Sequence, residues 1–194
     1  MDFKEIYLEK KAERAQFIAA LNPKSFDFQL STWFGSGLLI PAPGTWGTIG
    51  GLIFGLILWS LTNGFFVFIA AVILFFMGLQ SVERLEKKLK NHDPSFIVID
   101  EVAAILLILS FNSLMIAWMG SLGVGGHFPT IVNTVTFLLF RYFDAKKPGY
   151  IGVADRNIKG AWGVMMDDII ATLYTIGASI LLLIVFYFLT VFVG

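Results

Sequence analysis

The sequence predicts an all-α membrane protein with about four to five membrane-spanning helices. Hydrophobic residues make up 57% of the chain and charged residues only 14%, whereas about 25% of the residues are charged in soluble domains. One segment, Ile169 to Val193, carries no charge and spans roughly 37 Å as a helix, enough to cross a bilayer. The chain therefore predicts one membrane-embedded domain, residues 31–194, preceded by an N-terminal amphipathic helical segment, residues 1–30.

The charged residues are distributed very unevenly along the chain. All 14 basic and all 14 acidic residues fall within three windows, residues 2–27, 83–101 and 141–168. If the apolar segments between these windows cross the membrane in pairs, all three windows lie on one face. The positive-inside tendency predicts that this face is cytoplasmic.

The first part of the chain combines a charged segment with a glycine-rich one. Phe3 to Leu21 has charged and apolar side chains at nearly helical spacing, which predicts an amphipathic helix on the membrane or on the domain. Ser31 to Thr48 is rich in Gly, Pro and Thr, and its two prolines predict irregular backbone. Its N–H groups could bind an anion, but a tight turn before a membrane helix is the simpler interpretation.

The apolar segments that follow predict the membrane helices. Thr48 to Leu61 and Gly64 to Gln80 form a pair that either crosses the membrane and returns or dips into it. Glycines at 47, 51 and 55 lie on one face of the first helix, a pattern typical of close helix packing. A charged, solvated helical extension from Ser81 to Asn91 precedes two further apolar segments, Val102 to Met119 and Phe128 to Tyr142.

Two adjacent carboxylates stand directly before an apolar segment at two places, Asp100-Glu101 and Asp167-Asp168. The helix dipole favours acidic residues at a helix N-terminus, so each pair alone is equally well explained as a cap. Adjacent acids also repel each other and lose hydration near the bilayer, a cost that capping does not require. The repeated pattern therefore favours a shared counter-charge, most simply a divalent cation.

The same predicted face gathers further acidic and basic side chains. Oxygen ligands, with no cysteine and no suitably placed histidine, favour Mg²⁺ or Mn²⁺ over zinc or copper. Basic groups beside such a cation suit a phosphate substrate, with the cation activating water and stabilising the transferred phosphoryl group. Arg141 and Asp144 are three residues apart, so they could instead form an ordinary helical ion pair. The candidates on this face are Asp93, Asp100, Glu101, Asp144, Asp155, Asp167, Asp168, Arg141, Lys147, Arg156 and Lys159.

Several other chemistries fit the sequence less well. A cysteine phosphatase is excluded because the chain has no cysteine, and no Asp-x-Asp nucleophile motif is present. The chain has only two histidines, His92 and His127, predicted on opposite faces, which do not supply a histidine-based lipid phosphatase. The signature Asp-Gly-x-x-Ala-Arg of CDP-alcohol phosphotransferases is also absent. An ion-coupled transporter with an acidic cation site stays open as an alternative.

Four motifs, in this order, resemble those of the bacterial phosphatidylglycerophosphatase A family. They are Pro43 to Thr48 (PGTWGT), His92 to Glu101 (HDPSFIVIDE), Phe140 to Pro148 (FRYFDAKKP) and Gly160 to Ala171 (GAWGVMMDDIIA). The resemblance covers roughly residues 31–171. It implies an all-helical, Mg²⁺-dependent phosphatase of the bacterial cytoplasmic (inner) membrane. Such an enzyme converts phosphatidylglycerophosphate to phosphatidylglycerol and inorganic phosphate in phospholipid biosynthesis.

The resemblance also implies roles for individual residues. Asp100, Glu101, Asp167 and Asp168 would hold the metal, and Asp144 or Asp93 would help to orient water. The phosphate would be bound by Thr45, Arg141, Lys147, Arg156 and Lys159.

Overall fold

The computed structural model describes the backbone of residues 3–89 and 95–193 and the side chains of residues 4–89 and 95–185. The described part of the chain is all-helical and contains no β-strand, which confirms the predicted fold class. In chain order the helices are α1 (Phe3–Ala20), α2 (Phe26–Ser31), a short 3₁₀ helix (Ser36–Leu38), α3 (Pro43–Leu61), α4 (Gly64–Glu86), α5 (Ile99–Ser121), α6 (Phe128–Lys146), α7 (Tyr150–Asn157) and α8 (Gly160–Val193).

Four helices are long and apolar enough to cross a membrane: α3, α4, α5 and α8. Within their most apolar stretches, 67% of the α5 residues are buried, compared with 22–28% in the other three. Helix α5 is therefore the central helix, and α3, α4, α6 and α8 all pack against it. Helix α6, which has 19 residues, carries Arg141, Asp144 and Lys146 near its C-terminal end.

Helix α3 packs against α5 through the predicted glycine face. A Cβ atom added at Gly47 would overlap Val98, one at Gly51 would lie 2.8 Å from Ile105 Cγ2, and one at Gly55 would lie 2.5 Å from Leu109 Cδ1. The glycines thus let two helix backbones approach closely, which confirms the packing role predicted from their spacing.

The start of α3 corrects one expectation. The structure has helix from Pro43 onward, so Pro43 to Thr48 is not irregular as the prolines suggested. Pro43 occupies the first turn, where the missing N–H has no helical partner in any case and the fixed φ suits a helix. Residues 39–42 do lack helix, and the 3₁₀ helix lies just before them.

The N-terminal segment is helical as predicted and is attached to the domain at its C-terminal end. Phe17 is buried, and its ring centroid lies 5.5 Å from those of both Phe28 and Phe96. Tyr7 and Leu8, by contrast, are exposed. Nearby, Asp27 of α2 accepts a hydrogen bond of 2.7 Å from Arg84 of α4. This bond from Arg84 lowers the pKa of Asp27.

Contacts along the helices show that α3, α4, α5 and α6 alternate in direction. The start of α3, the end of α4, the start of α5 and the end of α6 therefore lie at one end of the bundle. Asp27 pairs with Arg84, Glu101 lies near Arg141, and Asp100 lies near Asp168, so described parts of all three charged windows meet at this end.

The close approach of α3 and α5 gives a testable consequence for stability. We expect Gly51→Ala to lower the free energy of unfolding by about 1–3 kcal/mol, because the new methyl group overpacks the interface. Gly177→Ala in α8 is the matched control, since a Cβ there meets no atom within 4 Å. Denaturant unfolding in detergent measures both. Equal stability of the two variants would contradict the close-packed interface.

Candidate active site

The first acidic pair lies where α5 begins. Asp100 and Glu101 occupy the first turn of this helix, where its dipole favours negative charge. Asp100 Oδ1 and Glu101 Oε2 are nevertheless buried and accept no hydrogen bond. The helix N-terminus therefore explains the position of these carboxylates but does not satisfy them.

The second acidic pair lies deeper in its helix than the sequence suggested. Helix α8 begins at Gly160, so Asp167 and Asp168 follow about two turns of helix instead of standing at its start. This position removes the capping interpretation for this pair, since capping acts within the first turn. Both side chains are buried, with exposed fractions of 7% and 3%. Two carboxylates this deep in a membrane helix require a partner.

Three carboxylates from the two pairs converge on one point. Asp100, Glu101 and Asp168 each offer an oxygen within 4.8 Å of the others. Asp168 Oδ2, like the two oxygens of the α5 pair, is buried without a hydrogen-bond partner. We call these three residues the carboxylate trio. Its members belong to α5 and α8, and it is present only because these helices pack together.

The trio fits a divalent cation. Buried carboxylates without donors are costly unless they are paired, protonated or bound to a metal. Oxygen donors alone are the ligand set that Mg²⁺ and Mn²⁺ prefer. The unpartnered oxygens therefore suit a divalent cation, and both the predicted ligand set and Mg²⁺ as the resident ion stay predictions.

Asp167, the fourth predicted metal ligand, contacts a basic residue. Its Oδ2 accepts a hydrogen bond of 2.6 Å from Lys147 Nζ, and its Oδ1 accepts one from the backbone N–H of Asp168. Lys147 Nζ also donates to Asp155 of α7. Burial alone would lower the pKa of Lys147, but the hydrogen bonds to Asp155 and Asp167 outweigh this effect and raise it above its usual value.

Lys147 reaches both carboxylates from the end of α6. It is the C-terminal cap of this helix and adopts a left-handed φ of 45°, unusual for a residue other than glycine. Pro148 follows directly and prevents the helix from continuing. The bend points the Lys147 side chain toward α7 and α8 and so connects three helices at the site.

Arg141 connects the trio to α3 and α6. Its Nη1 lies 2.6 Å from Asp144 Oδ2, donates to Thr48 Oγ1 at 3.2 Å, and lies 3.7 Å from Glu101 Oε1. The i,i+3 pair with Asp144 that the sequence allowed is thus present. It does not exclude a site role, because the same guanidinium also faces the trio. Gly44 leaves room for this arrangement, since a Cβ there would overlap the Glu101 carboxylate.

A cavity of about 500 Å³ opens beside these groups. Six carboxylates line it but only three basic side chains, which leaves an excess of negative charge for a cation to compensate. The acidic residues are Asp100, Glu101, Asp144, Asp155, Asp167 and Asp168, and the basic residues are Arg141, Lys147 and Lys159.

The remaining predicted site residues lie elsewhere. Among the residues that the structure describes, neither Thr45 nor Arg156 belongs to the cavity wall. Arg156 is exposed on α7, and Thr45 is half-buried in the first turn of α3. Their roles as phosphate ligands stay predictions. Asp93 lies outside the described residues.

Two contacts at the site are not indicated by the sequence. The sequence offers Asp155 only as one of several acids on the same face, and the structure makes it a partner of Lys147. Eight residues and a turn separate the two, so no helical spacing indicates the pair. Thr48 Oγ1 accepts a hydrogen bond from Arg141, and these residues are 93 positions apart, so no local spacing indicates the contact.

The fold and the site together define a polytopic membrane protein with a buried carboxylate trio and basic side chains around a cavity at one end of its helices. Comparison with known proteins agrees with this class. The family model described as "PgpA: Phosphatidylglycerophosphatase A" matches residues 29–183. Phosphatidylglycerophosphatase A of Haemophilus influenzae is 33% identical over 160 residues, covering 82% of this chain and 88% of the relative.

Two further relatives are similar over most of their length. The Escherichia coli phosphatidylglycerophosphatase A is 29% identical over 155 residues, covering 76% of this chain and 78% of the relative. A protein of Bacteroides thetaiotaomicron named putative phosphatidylinositol-3-phosphatase is 33% identical over 159 residues, covering 79% of this chain and 91% of the relative. No solved structure matches the chain.

The chain belongs to the phosphatidylglycerophosphatase A family, as its four motifs indicated. It is therefore a phosphatase, a phosphoric monoester hydrolase. The matched residues include the trio, Arg141, Lys147 and Lys159 but not α1. Nothing in the comparisons supports the transporter alternative.

The double contact of Lys147 predicts a stability effect with a defined pH dependence. We expect Lys147→Gln to lower the free energy of unfolding by about 1–3 kcal/mol, because buried Asp167 loses its counter-charge. Because the pKa of Lys147 is raised in the folded protein, its contribution to the free energy of unfolding is complete below the pKa of an unfolded lysine, about 10.4. This contribution is lost as the pH rises further.

The measurement is denaturant unfolding in detergent from about pH 7 to pH 11, across the lysine pKa. The difference between wild type and Lys147→Gln should be constant up to about pH 9 and decrease above about pH 10.4. Lys146→Gln is the matched control, because Lys146 is exposed and does not line the cavity. A difference that grows with rising pH would contradict the assigned pairing.

Proposed function

We propose that this chain is a Mg²⁺-dependent phosphatidylglycerophosphatase that acts at the cytoplasmic face of a bacterial inner membrane. It would hydrolyse the terminal phosphate of phosphatidylglycerophosphate to give phosphatidylglycerol and inorganic phosphate in phospholipid biosynthesis. The observation that carries this proposal is the carboxylate trio: each of its residues has a buried oxygen without a hydrogen-bond partner, and all three residues line a cavity that also contains basic side chains. The assignment of phosphatidylglycerophosphate as the substrate comes from membership of the family.

The names of the relatives support a common substrate class. Phosphatidylglycerophosphate and phosphatidylinositol 3-phosphate both carry a phosphomonoester on an alcohol that is joined to diacylglycerol through a phosphodiester. The phosphomonoester is thus the group that both named activities remove. Phosphatidylglycerophosphate is the preferred assignment because the family model and two of the three relatives carry that name.

The position of the cavity suits a lipid head group. Tryptophan and tyrosine concentrate where a membrane meets water. Exposed aromatic side chains of this kind lie near the cavity on α3, α6, α7 and α8. The cavity would therefore lie at the depth of the lipid head-group phosphates of the bilayer. These side chains are Trp46, Tyr142, Tyr150 and Trp162, with exposed fractions of 44%, 56%, 74% and 52%.

Asp100, Glu101 and Asp168 would hold the cation. Asp167, which precedes Asp168 in the sequence, is paired with Lys147. When bound, Mg²⁺ supplies Lewis-acid stabilisation of negative charge on the phosphoryl oxygens. Arg141 uses Nη1 to contact Asp144 and Thr48. The other N–H donors of its guanidinium can bind the substrate phosphate. Asp144 holds the guanidinium in place through Nη1, and Glu101 Oε1 lies 3.7 Å from the same nitrogen.

Hydrolysis forms a bond from water oxygen to phosphorus and breaks the bond from phosphorus to the glycerol oxygen, which takes up a proton. Asp144 uses one oxygen for Arg141, and its second oxygen can orient the attacking water. The Lys147 ammonium, protonated at neutral pH, holds Asp155 and Asp167 in place and stabilises negative charge in the cavity. Because these groups are already paired, little reorganisation is needed during the reaction.

The first test is phosphate release from phosphatidylglycerophosphate by purified protein in detergent. We expect release that requires Mg²⁺, stops with EDTA, and falls by at least about 100-fold in Asp168→Asn, because one of the three ligands is lost. Asp27→Asn is the control, an Asp to Asn change at the same end of the bundle that contacts Arg84 and not the cavity.

Phosphatidylinositol 3-phosphate is assayed in parallel. Faster release from this lipid than from phosphatidylglycerophosphate would overturn the substrate assignment but keep the phosphatase. Undiminished release in EDTA, with Asp168→Asn fully active, would overturn the metal site.

Orientation in the membrane can be measured separately because the chain has no cysteine. We expect Lys146→Cys, on the face of the cavity, to resist a membrane-impermeant maleimide in intact cells and to react after the cells are opened. Gly125→Cys, in the exposed loop between α5 and α6 at the opposite end, should react in intact cells. The reverse pattern would place the active site outside the cytoplasm.

A further inference from the structure

Three basic side chains line the cavity, and one of them differs from the other two. Arg141 contacts Asp144 and Glu101, and Lys147 contacts Asp155 and Asp167. Lys159 lines the same cavity but forms no ion pair or hydrogen bond with any residue that the structure describes. We propose that Lys159 binds the phosphodiester of the lipid substrate and so selects lipids that carry both a phosphodiester and a phosphomonoester. This inference rests on the proposed function.

The local backbone places Lys159 at the mouth of the cavity. Helix α7 ends at Asn157, Ile158 is extended, and Gly160 has a positive φ of 67° before α8 begins. Lys159 is the residue at this sharp connection, and its side chain is exposed. Asp168, two turns further along α8, is 3% exposed at the inner end of the cavity. The cavity therefore has a buried acidic end and an exposed basic group on its rim.

The proposed substrate has two phosphates that differ in the same way. Its phosphomonoester must reach the trio, where the reaction takes place. Its phosphodiester is joined to diacylglycerol, whose acyl chains remain in the bilayer, so this group stays nearer the cavity mouth. A second anion entering a cavity with six carboxylates is repelled unless a cation meets it.

Lys159 is the suitable cation because its charge is not already shared. An ammonium group that contacts two carboxylates, as Lys147 does, attracts a further anion less strongly than an unpaired one. Lysine acts as a point charge with rotatable donors, which suits a phosphodiester whose position varies with lipid motion. Phosphatidylglycerol, the proposed product, keeps this phosphodiester, so it should bind Lys159 as well.

The test separates the two phosphates by inhibition. In Lys159→Gln we expect the KM for phosphatidylglycerophosphate and the inhibition constant of phosphatidylglycerol both to rise about tenfold, since a charge-assisted contact is lost. Inorganic phosphate has no phosphodiester and would bind only where the phosphomonoester does, beside the cation and Arg141, so its inhibition constant should not change, and kcat should remain within about twofold. Lys159→Arg keeps the charge and should restore both constants. Lys146→Gln, an exposed lysine outside the cavity, is the matched control.

Different outcomes overturn different statements. If Lys159→Gln weakens inhibition by inorganic phosphate and leaves that by phosphatidylglycerol unchanged, Lys159 binds the phosphomonoester and the inference is wrong. The inference is also wrong if neither the KM for phosphatidylglycerophosphate nor the inhibition constant of phosphatidylglycerol changes in Lys159→Gln. It is wrong as well if Lys146→Gln raises these two constants equally. If the wild-type protein releases no phosphate from phosphatidylglycerophosphate, the proposed function itself fails and the inference fails with it.

Discussion

The mutual repulsion of three closely spaced carboxylates is the constraint on which the rest of the site depends. Asp100, Glu101 and Asp168 bring oxygens within 4.8 Å of one another, and one oxygen of each has no partner. At such a separation in a poorly solvated environment, like charges repel by several kcal/mol. The fold holds them together because α5 and α8 pack along apolar faces that include fully buried Ile99 and Met165. Packing energy thus maintains an arrangement that electrostatics alone would separate.

The surrounding groups limit this repulsion without removing it. Arg141 and Lys147 each neutralise carboxylates at the edge of the trio and connect α6 to α3, α7 and α8. Asp168 is left with no basic partner among the described residues. Charge is therefore balanced at the periphery and left unbalanced at the centre, which is the distribution that a cation site requires.

Much of this organisation could be predicted from the sequence. The clustering of charges, the glycines of α3 and the two acidic pairs indicated the fold, one helix contact and the position of the site. The start of α8 could not be predicted, because Gly160 and Gly163 resemble a loop. Gly163 is in fact needed for close packing, since a Cβ there would overlap the carbonyl of Ile158. The partnership of Lys147 and Asp155 also depends on a turn whose geometry no periodic pattern indicates.

Adjacent acids in a helix serve different partners because successive residues point about 100° apart. On α8 this separation directs Asp168 to the trio and Asp167 to Lys147. On α5 both acids belong to the trio, and Glu101 also lies 3.7 Å from Arg141. The α8 pair thus supplies one group for the centre and one for the surrounding ion pairs, whereas the α5 pair supplies two groups for the centre. Two such pairs on neighbouring helices are therefore sufficient to build the trio and to connect it to the basic side chains around it.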